Sequence, residues 1–274
     1  MKLVTFRHPT HGLRVGRLDD EVISLLGAAD MIAWLHGEGH EEVEVRVPVS
    51  EAELLAPVPR PPSVRDFFAF EGHVEAGWRR RGGEIPTAWY EAPAFYFSNP
   101  ASIQGPGATV KRPRGTRMLD FELEVAAVIG SAGEVAGFTL MNDWSARDIQ
   151  AREMTVGLGP AKGKDFATSL GPWLVTPDEL PIVDGRLAVD ATVTVNGQEL
   201  SRTSAAEQHW SWEELAGHAA RGTSLEAGDV LGSGTLNGGC LLELGPLEGE
   251  RWLEPGDEVV LAADGLGVLA TVIS

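Results

Sequence analysis

The chain has 274 residues, 43% of them hydrophobic and 23% charged, which is typical of a globular enzyme with a large core. Its net charge of −18 repels nucleic acid and anionic lipid, so we expect neither as a partner, and an anionic substrate needs a local cation or basic side chains. A single cysteine, Cys240, excludes an internal disulfide and suits a reducing cytoplasm, where we expect the protein, since the sequence predicts neither a signal peptide nor a membrane span.

Residues 1–60 are predicted to form a small β-rich domain with short strands at 2–6, 13–18 and 22–25 and a short helix at 29–36. Four prolines between Ala56 and Pro62 indicate an extended linker or domain edge, so residues 61–274 form a second, larger domain. Few long helical patterns occur there, which argues against a doubly wound α/β fold. Its predicted strands are 119–130, 135–142, 171–176, 189–195, 229–235, 240–244, 257–263 and 267–273.

Residues 66–82 are predicted to form the clearest helix of the chain. An apolar stripe at helical spacing includes Phe70 and Val74, and Asp66 and His73 lie seven residues apart on the edge of that stripe. Both side chains are therefore expected to face inward or into a cleft. The simpler interpretation is that Asp66 caps the helix and that His73 is a half-buried structural residue.

Glu122 and Glu124 stand one residue apart in a stretch that alternates apolar and polar residues, as a half-buried strand does. At about 3.3 Å per residue the two glutamates are roughly 6.6 Å apart on one face. Both carboxylates can therefore converge on one cation. Without a cation, two neighbouring carboxylates in a half-dry place repel each other and shift their pKa values.

A second polar cluster follows the apolar strand at 135–142. Asp143 lies at the end of that strand, where loops place ligands and catalytic groups. Arg147 and Gln150 are three residues apart and share a face of the helix that is predicted to start there. The alternative is that Asp143 caps this helix and that Arg147 is solvated.

Two glycine-rich segments complete the candidates. In residues 157–166, glycines and a proline hold Lys162 and Lys164 in a loop, where a lysine can bind a carboxylate or an oxyanion, although Lys162 serves solubility equally well. In residues 232–244, Glu243 lies among leucines before or in a predicted strand. If Glu243 is buried, its carboxylate needs a partner, and a histidine would serve. The alternative is that Glu243 lies at the edge of a tight corner, where it needs no partner.

The two motifs Asp120-Phe-Glu-Leu-Glu-Val125 and Met141-Asn-Asp-Trp-Ser-Ala-Arg-Asp-Ile-Gln150, in this order, resemble the fumarylacetoacetate hydrolase family. The resemblance runs from about Arg65 to the C-terminus. It implies a mainly β (α+β) fold, in which a rolled mixed β-sandwich forms the catalytic domain (61–274) after a small β-rich N-terminal domain (1–60). It also implies a homodimer.

The resemblance further implies roles for individual side chains. Carboxylates in the family bind Mg²⁺ or Ca²⁺, and oxygen ligands of this kind suit Mg²⁺, Mn²⁺ or Ca²⁺ better than zinc. The matching metal ligands here are Asp66, Glu122, Glu124 and Asp143. The matching catalytic residues are His73 as base, Glu243 as its partner and Lys164. The matching substrate contacts are Arg147, Gln150, Thr235 and Tyr96.

Two departures from the family pattern concern the substrate. The family arginine that follows the histidine matches no single position, although residues 79–81 are all arginine, and a family tyrosine is replaced by Phe68. Residues 79–92 contain glycines, Trp89 and Tyr90, which predicts a mobile segment that closes over the cleft. The alternative is an ordinary surface loop.

The predicted activity is metal-dependent hydrolysis of a carbon–carbon bond in a small 1,3-diketo acid, similar to fumarylacetoacetate or an acylpyruvate. The same metal site also suits decarboxylation of oxaloacetate-like acids, keto–enol isomerisation or hydration of a 2-keto-4-enoate. Having both His73 and Glu243 favours hydrolysis, because that reaction needs an activated water. The alternative to an enzyme is a protein that binds the ligand and the metal but does not catalyse a reaction.

Overall fold

Strands dominate the computed structural model, which describes the backbone of residues 1–274 and the side chains of all but residues 41–44. The strands before residue 60 are β1 (Lys2–His8), β2 (Gly12–Asp19), β3 (Val22–Leu26), β4 (Glu41–Pro48) and β5 (Glu53–Leu54). The next strands are β6 (Val64–Phe67), β7 (Phe95–Ser98), β8 (Ile103–Gln104), β9 (Thr109–Val110), β10 (Leu119–Asp120), β11 (Leu123–Ile129), β12 (Val135–Asp143), β13 (Ser145–Ala146) and β14 (Thr168–Val175). The last strands are β15 (Ile182–Val183), β16 (Arg186–Leu187), β17 (Asp190–Val195), β18 (Gln198–Ser204), β19 (Val230–Gly232), β20 (Glu258–Ala263) and β21 (Gly267–Ile273).

The helices are short and lie in the connections between strands. The α-helices are α1 (Met31–Leu35), α2 (Glu71–Arg80), α3 (Arg147–Met154), α4 (Trp212–Ala219) and α5 (Leu241–Leu244). The 3-10 helices are Val49–Glu51, Thr87–Tyr90, Pro100–Ser102, Pro177–Glu179 and Ala205–Glu207. Among the helices described, none has the length and apolar character needed to cross a membrane.

Two sheets of mixed strand direction form the body of the molecule. A 12-stranded sheet runs in the order β4-β3-β2-β1-β14-β12-β11-β19-β6-β7, with β5 and β8 paired to its side, and a 5-stranded sheet runs β18-β17-β20-β21-β9. Most pairs are antiparallel, but β19 pairs with β6, β8 with β14 and β9 with β21 in parallel. The mainly β, rolled mixed sandwich expected from the sequence is confirmed.

Strand β11 is buried on both faces, and this decides where the core lies. Val125, Ala127 and Ile129 join the cluster between the two sheets, whereas Ala126 and Val128 face a second cluster that includes Met31 of α1. A strand covered on both sides reads as a continuous apolar run. Glu124 is in this strand and is fully buried with it, so its carboxylate needs compensation inside the protein.

The N-terminal strands continue the large sheet. Strand β1 pairs with β2, β5 and β14, so residues 2–26 extend the sheet that carries β11 and β12. Ala56 and Val58 of the proline-rich segment are buried in the second cluster. The division of the chain at residue 60 stays a prediction.

Three predicted elements were wrong. Residues 66–82 do not form one helix, because Asp66 pairs in the sheet with Gly232 and Tyr96, and α2 begins only at Glu71. The aromatic residues of this region favour strand, and their helical spacing is coincidental. The predicted strand at 119–130 is interrupted at 121–122, and the predicted strand at 240–244 is the short helix α5.

Candidate active site

Four acidic side chains meet where neighbouring strands of the large sheet end. Asp66 is on β6, and Asp143 ends β12. Glu124 is the second residue of β11, and Glu122 lies just before that strand. Strand β19 separates β11 from β6. One ligand oxygen of each of the four acids lies within 4.8 Å of those of the others, and all four side chains are buried. Sheet pairing, not the predicted helix, therefore brings Asp66 to the two glutamates.

Gly232 of β19 makes room for this cluster. A Cβ atom at Gly232 would lie 2.5 Å from Asp66 Oδ1 and 3.1 Å from Glu124 Oε2. Any side chain here would push the two carboxylates apart. The glycine is thus required by the close approach of the acids across the intervening strand.

Four oxygens of the cluster have no hydrogen-bond donor within the described structure. They are Asp66 Oδ1, Asp143 Oδ1 and both carboxylate oxygens of Glu124. A buried carboxylate oxygen without a donor is costly, because it has lost its hydration and gained nothing in return. One oxygen of each of the four acids lies within 4.8 Å of the others, so the arrangement fits a cation.

The pKa values follow from burial and from mutual repulsion. Burial, reinforced by neighbouring carboxylates, raises the pKa of Asp66 and of Glu124 well above their ordinary values. Burial likewise raises the pKa of Asp143, although Lys164 works against it. Glu122 behaves oppositely: burial disfavours its charge, but Arg147 and Lys164 outweigh burial and hold its pKa below the usual range.

Lys164 links two of the acids. Its Nζ donates to Glu122 Oε2 and, at 2.5 Å, to Asp143 Oδ2, and its side chain is buried. Burial disfavours the ammonium, but Asp143 and Glu122 raise its pKa above the ordinary value, so it stays charged. With Asp120 included, five carboxylates face two cations, Lys164 and Arg147, and the excess negative charge suits a divalent ion.

His73 and Glu243 form a pair at the edge of the acidic cluster. His73 lies in the first turn of α2 and its Nδ1 is 2.6 Å from Glu243 Oε1 on α5. Glu243 Oε2 accepts the backbone N–H of Gly238 at 2.8 Å, which fixes the carboxylate. His73 Nε2 is 3.9 Å from Glu122 Oε1 and so faces the cluster. The contact is the one that the sequence suggested for a buried Glu243.

Arg147 contacts several of the polar side chains around the acidic cluster. Its Nε donates to Asp120 Oδ2 at 2.7 Å, and its Nη1 lies 2.7 Å from Glu122 Oε1 and donates to Gln150 Oε1 at 3.2 Å. Nη2 is buried and has no acceptor among the described atoms. That N–H group is therefore available to a ligand. Asp120 was not a predicted site residue, although its alternation with Glu122 was a usable signal.

Lys164 is held in place by the loop that the sequence singled out. Glu153 of α3 accepts the backbone N–H groups of Ala161, Lys162 and Gly163 at 2.9, 2.7 and 3.0 Å. Lys162 is exposed and pairs with Asp165, as the solubility interpretation expects. The loop thus separates the two lysines into one buried group and one solvated group.

The cluster opens into a cavity of about 430 Å³. Tyr96 and Thr235 line it, and the Tyr96 hydroxyl donates to Asp143 Oδ2 at 2.5 Å. Burial, and then Asp143, raises the pKa of Tyr96 well above its ordinary value, so the phenol keeps its proton. Nine of the eleven predicted site residues line this cavity, and the other two, Asp143 and Glu243, contact the lining residues Lys164 and His73. The wall also contains Phe68, Gly77, Trp78, Pro86, Ala88, Trp89, Met154 and Pro160.

The arginines at positions 79–81 differ in their relation to the cavity. Arg81 lines it, with its guanidinium 5.4 Å from the centre of the Trp78 ring, whereas Arg79 pairs with Glu75 at the surface. Phe68, in the place of the family tyrosine, meets the His73 ring edge-on with centroids 5.4 Å apart. Trp89 donates to the Phe68 carbonyl at 2.6 Å, which ties residues 87–90 to the cavity wall. Movement of residues 79–92 stays a prediction.

Comparisons with known proteins identify the family and the fold. The family model described as fumarylacetoacetate (FAA) hydrolase C-terminal matches residues 63–274. The chain is 33% identical to a fumarylacetoacetase of Oryza sativa subsp. japonica, over 79% of this chain and 67% of that protein. The fumarylacetoacetate hydrolase of Exiguobacterium antarcticum superposes with a TM-score of 0.78 at 22% identity, and a 5-carboxymethyl-2-hydroxymuconate delta-isomerase of Mycobacterium smegmatis with 0.75 at 24%. Each of these two structures matches 100% of this chain and 99% of its own.

Proposed function

The chain belongs to the fumarylacetoacetate hydrolase family, and from this premise we propose that it is a metal-dependent hydrolase of small 1,3-diketo acids. The observation that carries the proposal is the contact of 2.6 Å between His73 Nδ1 and Glu243 Oε1, beside a buried cluster of four acids. Hydrolysis needs a base that is oriented toward a water, and this pair supplies one. The name of the similar rice protein, fumarylacetoacetase, supports the same activity.

We propose that Asp66, Glu122, Glu124 and Asp143 hold a divalent cation, Mg²⁺, Mn²⁺ or Ca²⁺. The donor set is made of oxygen only, and four of its oxygens are buried without a donor, which fits a hard ion. When bound, such an ion polarises a carbonyl group and stabilises enolate charge. The remaining chemistry falls to the side chains of the protein.

His73 serves as the general base in this proposal. With Nδ1–H donated to Glu243, Nε2 carries the free lone pair, and it faces the acidic cluster. His73 Nε2 takes a proton from a water, and the hydroxide forms a bond to the carbonyl carbon of the substrate. Glu243 stabilises the imidazolium. The carbon–carbon bond then breaks, and its electron pair leaves with the enolate. The enolate takes the proton back from the His73 imidazolium, which restores the base.

Two cations of the wall hold the substrate. Lys164 has three N–H donors and uses two on Glu122 and Asp143, so one is left for the developing oxyanion. The free Nη2 of Arg147 would bind a substrate carboxylate, together with Gln150, which Arg147 contacts, and Thr235, which lines the same cavity. Tyr96, which keeps its proton, positions Asp143.

The outer cavity favours a substrate with an apolar tail. Phe68, Trp78, Trp89 and Met154 line it, and Arg81 is the basic residue at that wall. Such a wall suits the alkyl or alkenyl chain of an acylpyruvate, and Arg81 suits a terminal carboxylate as in fumarylpyruvate. The products are two carboxylic or keto acids.

A panel assay tests the proposal. The purified protein with Mg²⁺ or Mn²⁺ is incubated with fumarylpyruvate, acylpyruvates and oxaloacetate, and the products are identified by mass. We expect two acids from the diketo substrates and loss of that reaction in His73→Ala. Carbon dioxide from oxaloacetate at an unchanged rate in His73→Ala would favour a decarboxylase, and an isomer without water uptake would favour an isomerase. Metal binding without turnover of any substrate would favour a ligand-binding protein.

We also propose that the protein is a cytoplasmic homodimer. Strand β7 ends the large sheet, and the Phe97 side chain on it is 65% exposed. An edge strand with an exposed aromatic side chain favours association with a second copy. Light scattering after size-exclusion chromatography tests this, and a monomer would contradict it.

A further inference from the structure

Cys240 plays no part in the proposed reaction, yet its thiol lies against the catalytic pair. Its Sγ is 3.7 Å from His73 Nδ1 and 3.5 Å from Glu243 Oε1. Cys240 is the residue that precedes α5 and Glu243 is three residues later, so both side chains project from the same side of the helix start. Together with the first turn of α2, this places a thiol, an imidazole and a carboxylate at one point.

The spacing of these donors is close to that of a zinc site. For Zn–S of about 2.3 Å and Zn–N or Zn–O of about 2.1 Å, tetrahedral geometry puts sulfur about 3.6 Å from the other two donors and nitrogen about 3.4 Å from oxygen. The two sulfur distances, 3.7 and 3.5 Å, already fit. The contact of 2.6 Å between His73 Nδ1 and Glu243 Oε1 would have to open by roughly 0.8 Å, which breaks their hydrogen bond.

The chemistry of the donors separates this site from the four-acid cluster. A thiolate and a carboxylate neutralise the charge of Zn²⁺, and sulfur and nitrogen are its preferred ligands, whereas the four acids offer only oxygen. His73 Nδ1 faces Cys240 and Glu243, and Nε2 faces Glu122. The two clusters therefore contact opposite nitrogens of one imidazole ring and share no donor atom.

We infer that His73, Cys240 and Glu243 form a second, inhibitory site for Zn²⁺ or a similar soft divalent ion. Metal at Nδ1 uses the lone pair of that nitrogen and takes Glu243 away from the imidazole, so the proton of the neutral ring lies on Nε2, which then has no lone pair to accept a proton from water. Binding also releases the proton of the Cys240 thiol to the solvent. His73 and Leu242 line the cavity, and Glu243 is only partly buried, so an ion can reach the site from there. The inhibition, but not the binding, rests on the proposed function.

The binding test uses Co²⁺ as a spectroscopic probe for Zn²⁺. Cys240 is the single cysteine of the chain, so any thiolate-to-cobalt charge-transfer band in the near ultraviolet reports on this residue alone. We expect the band when Co²⁺ is added to the wild type with Mg²⁺ present, its loss on adding Zn²⁺, and its absence in Cys240→Ser and Cys240→Ala. A wild type without the band would overturn the inference, whatever the protein catalyses.

The inhibition test compares Zn²⁺ titrations of the diketo-acid hydrolysis. Cys240→Ser should keep its activity with Mg²⁺ and need at least about tenfold more Zn²⁺ for half inhibition, since even loss of an outer partner weakens metal binding by that factor. Excess Mg²⁺ should not relieve inhibition of the wild type, because the two sites differ. Equal inhibition of both proteins, relieved by Mg²⁺, would place Zn²⁺ among the four acids and refute the second site.

Discussion

The replacement Glu243→Gln removes one charge from the catalytic pair and leaves its shape almost unchanged. Glu243 accepts hydrogen bonds from His73 Nδ1 at 2.6 Å and from the Gly238 N–H at 2.8 Å, and a weaker one from Cys240 Sγ at 3.5 Å. The glutamine amide has only one oxygen. If that oxygen stays on Gly238, the amide N–H₂ faces His73 and forces the proton of the imidazole onto Nε2, where the base must be free. If the amide oxygen stays on His73, the amide N–H₂ group faces the Gly238 N–H, and two hydrogen-bond donors oppose each other.

The expected loss in kcat is between about 10² and 10⁴, the range of a general base. At 1.36 kcal/mol per factor of ten, this corresponds to about 2.7–5.4 kcal/mol of transition-state stabilisation. The assay measures kcat and KM on the best diketo acid at saturating Mg²⁺, with Mg²⁺ affinity determined separately by calorimetry. Mg²⁺ affinity should be unchanged, since Glu243 does not belong to the four acids.

The matched control is Glu248→Gln, which removes the same charge from an exposed residue nearby. It should retain wild-type kcat. A Glu243→Gln enzyme within about threefold of wild type, well under the contribution of a general base, would refute the assignment of His73 and Glu243 as the water-activating pair.

Three further predictions concern the metal site and its supports. Gly232→Ala should lower Mg²⁺ affinity by at least about tenfold, measured by calorimetry, because its Cβ meets Asp66 Oδ1 at 2.5 Å; unchanged affinity would contradict the close-approach argument. Burial raises the pKa values of Asp66 and Glu124 well above their ordinary values, so Mg²⁺ should bind more tightly as pH rises and should release protons on binding; calorimetry in two buffers of different ionisation enthalpy measures the release, and no buffer dependence would count against it. Burial works against the charge of Glu153, but the N–H groups of Ala161 and Gly163 outweigh it and lower its pKa, so its stabilisation is present above the unfolded pKa and is lost as pH falls through the folded one; Glu153→Gln should cost about 1 kcal/mol in urea unfolding at pH 7 and less below about pH 4, and a cost independent of pH would be inconsistent with a charged acceptor.

The grouping of the acids was largely readable from the sequence. Glu122 and Glu124 reach one cluster, as the alternation predicted, although Glu122 lies just before β11, and Asp143 ends an apolar strand whose end was predicted within one residue. The need of a leucine-flanked Glu243 for a partner also pointed to His73. These are local rules, and they apply wherever the strand itself is correctly identified.

Asp66 shows where local rules fail. Its neighbourhood has helical spacing, but its backbone pairs with Gly232, from the last third of the chain, and with Tyr96. No local pattern contains such a partner, so the helix was wrong although the residue was well chosen. The same holds for Asp120. Its carboxylate oxygens accept hydrogen bonds from Arg147 and from the N-terminus of α5, and these donors reach it only in the folded chain.

The position of β19 between β11 and β6 has a consequence for how the protein folds. The parallel pairing of β19 with β6 joins distant parts of the chain, and such contacts form slowly because a long loop must close first. Asp66 and Glu124 meet only after that closure. Contacts that are absent from the folding transition state act on the unfolding rate. A cation held by these acids is therefore expected to slow the unfolding of the sheet and to leave its folding rate unchanged.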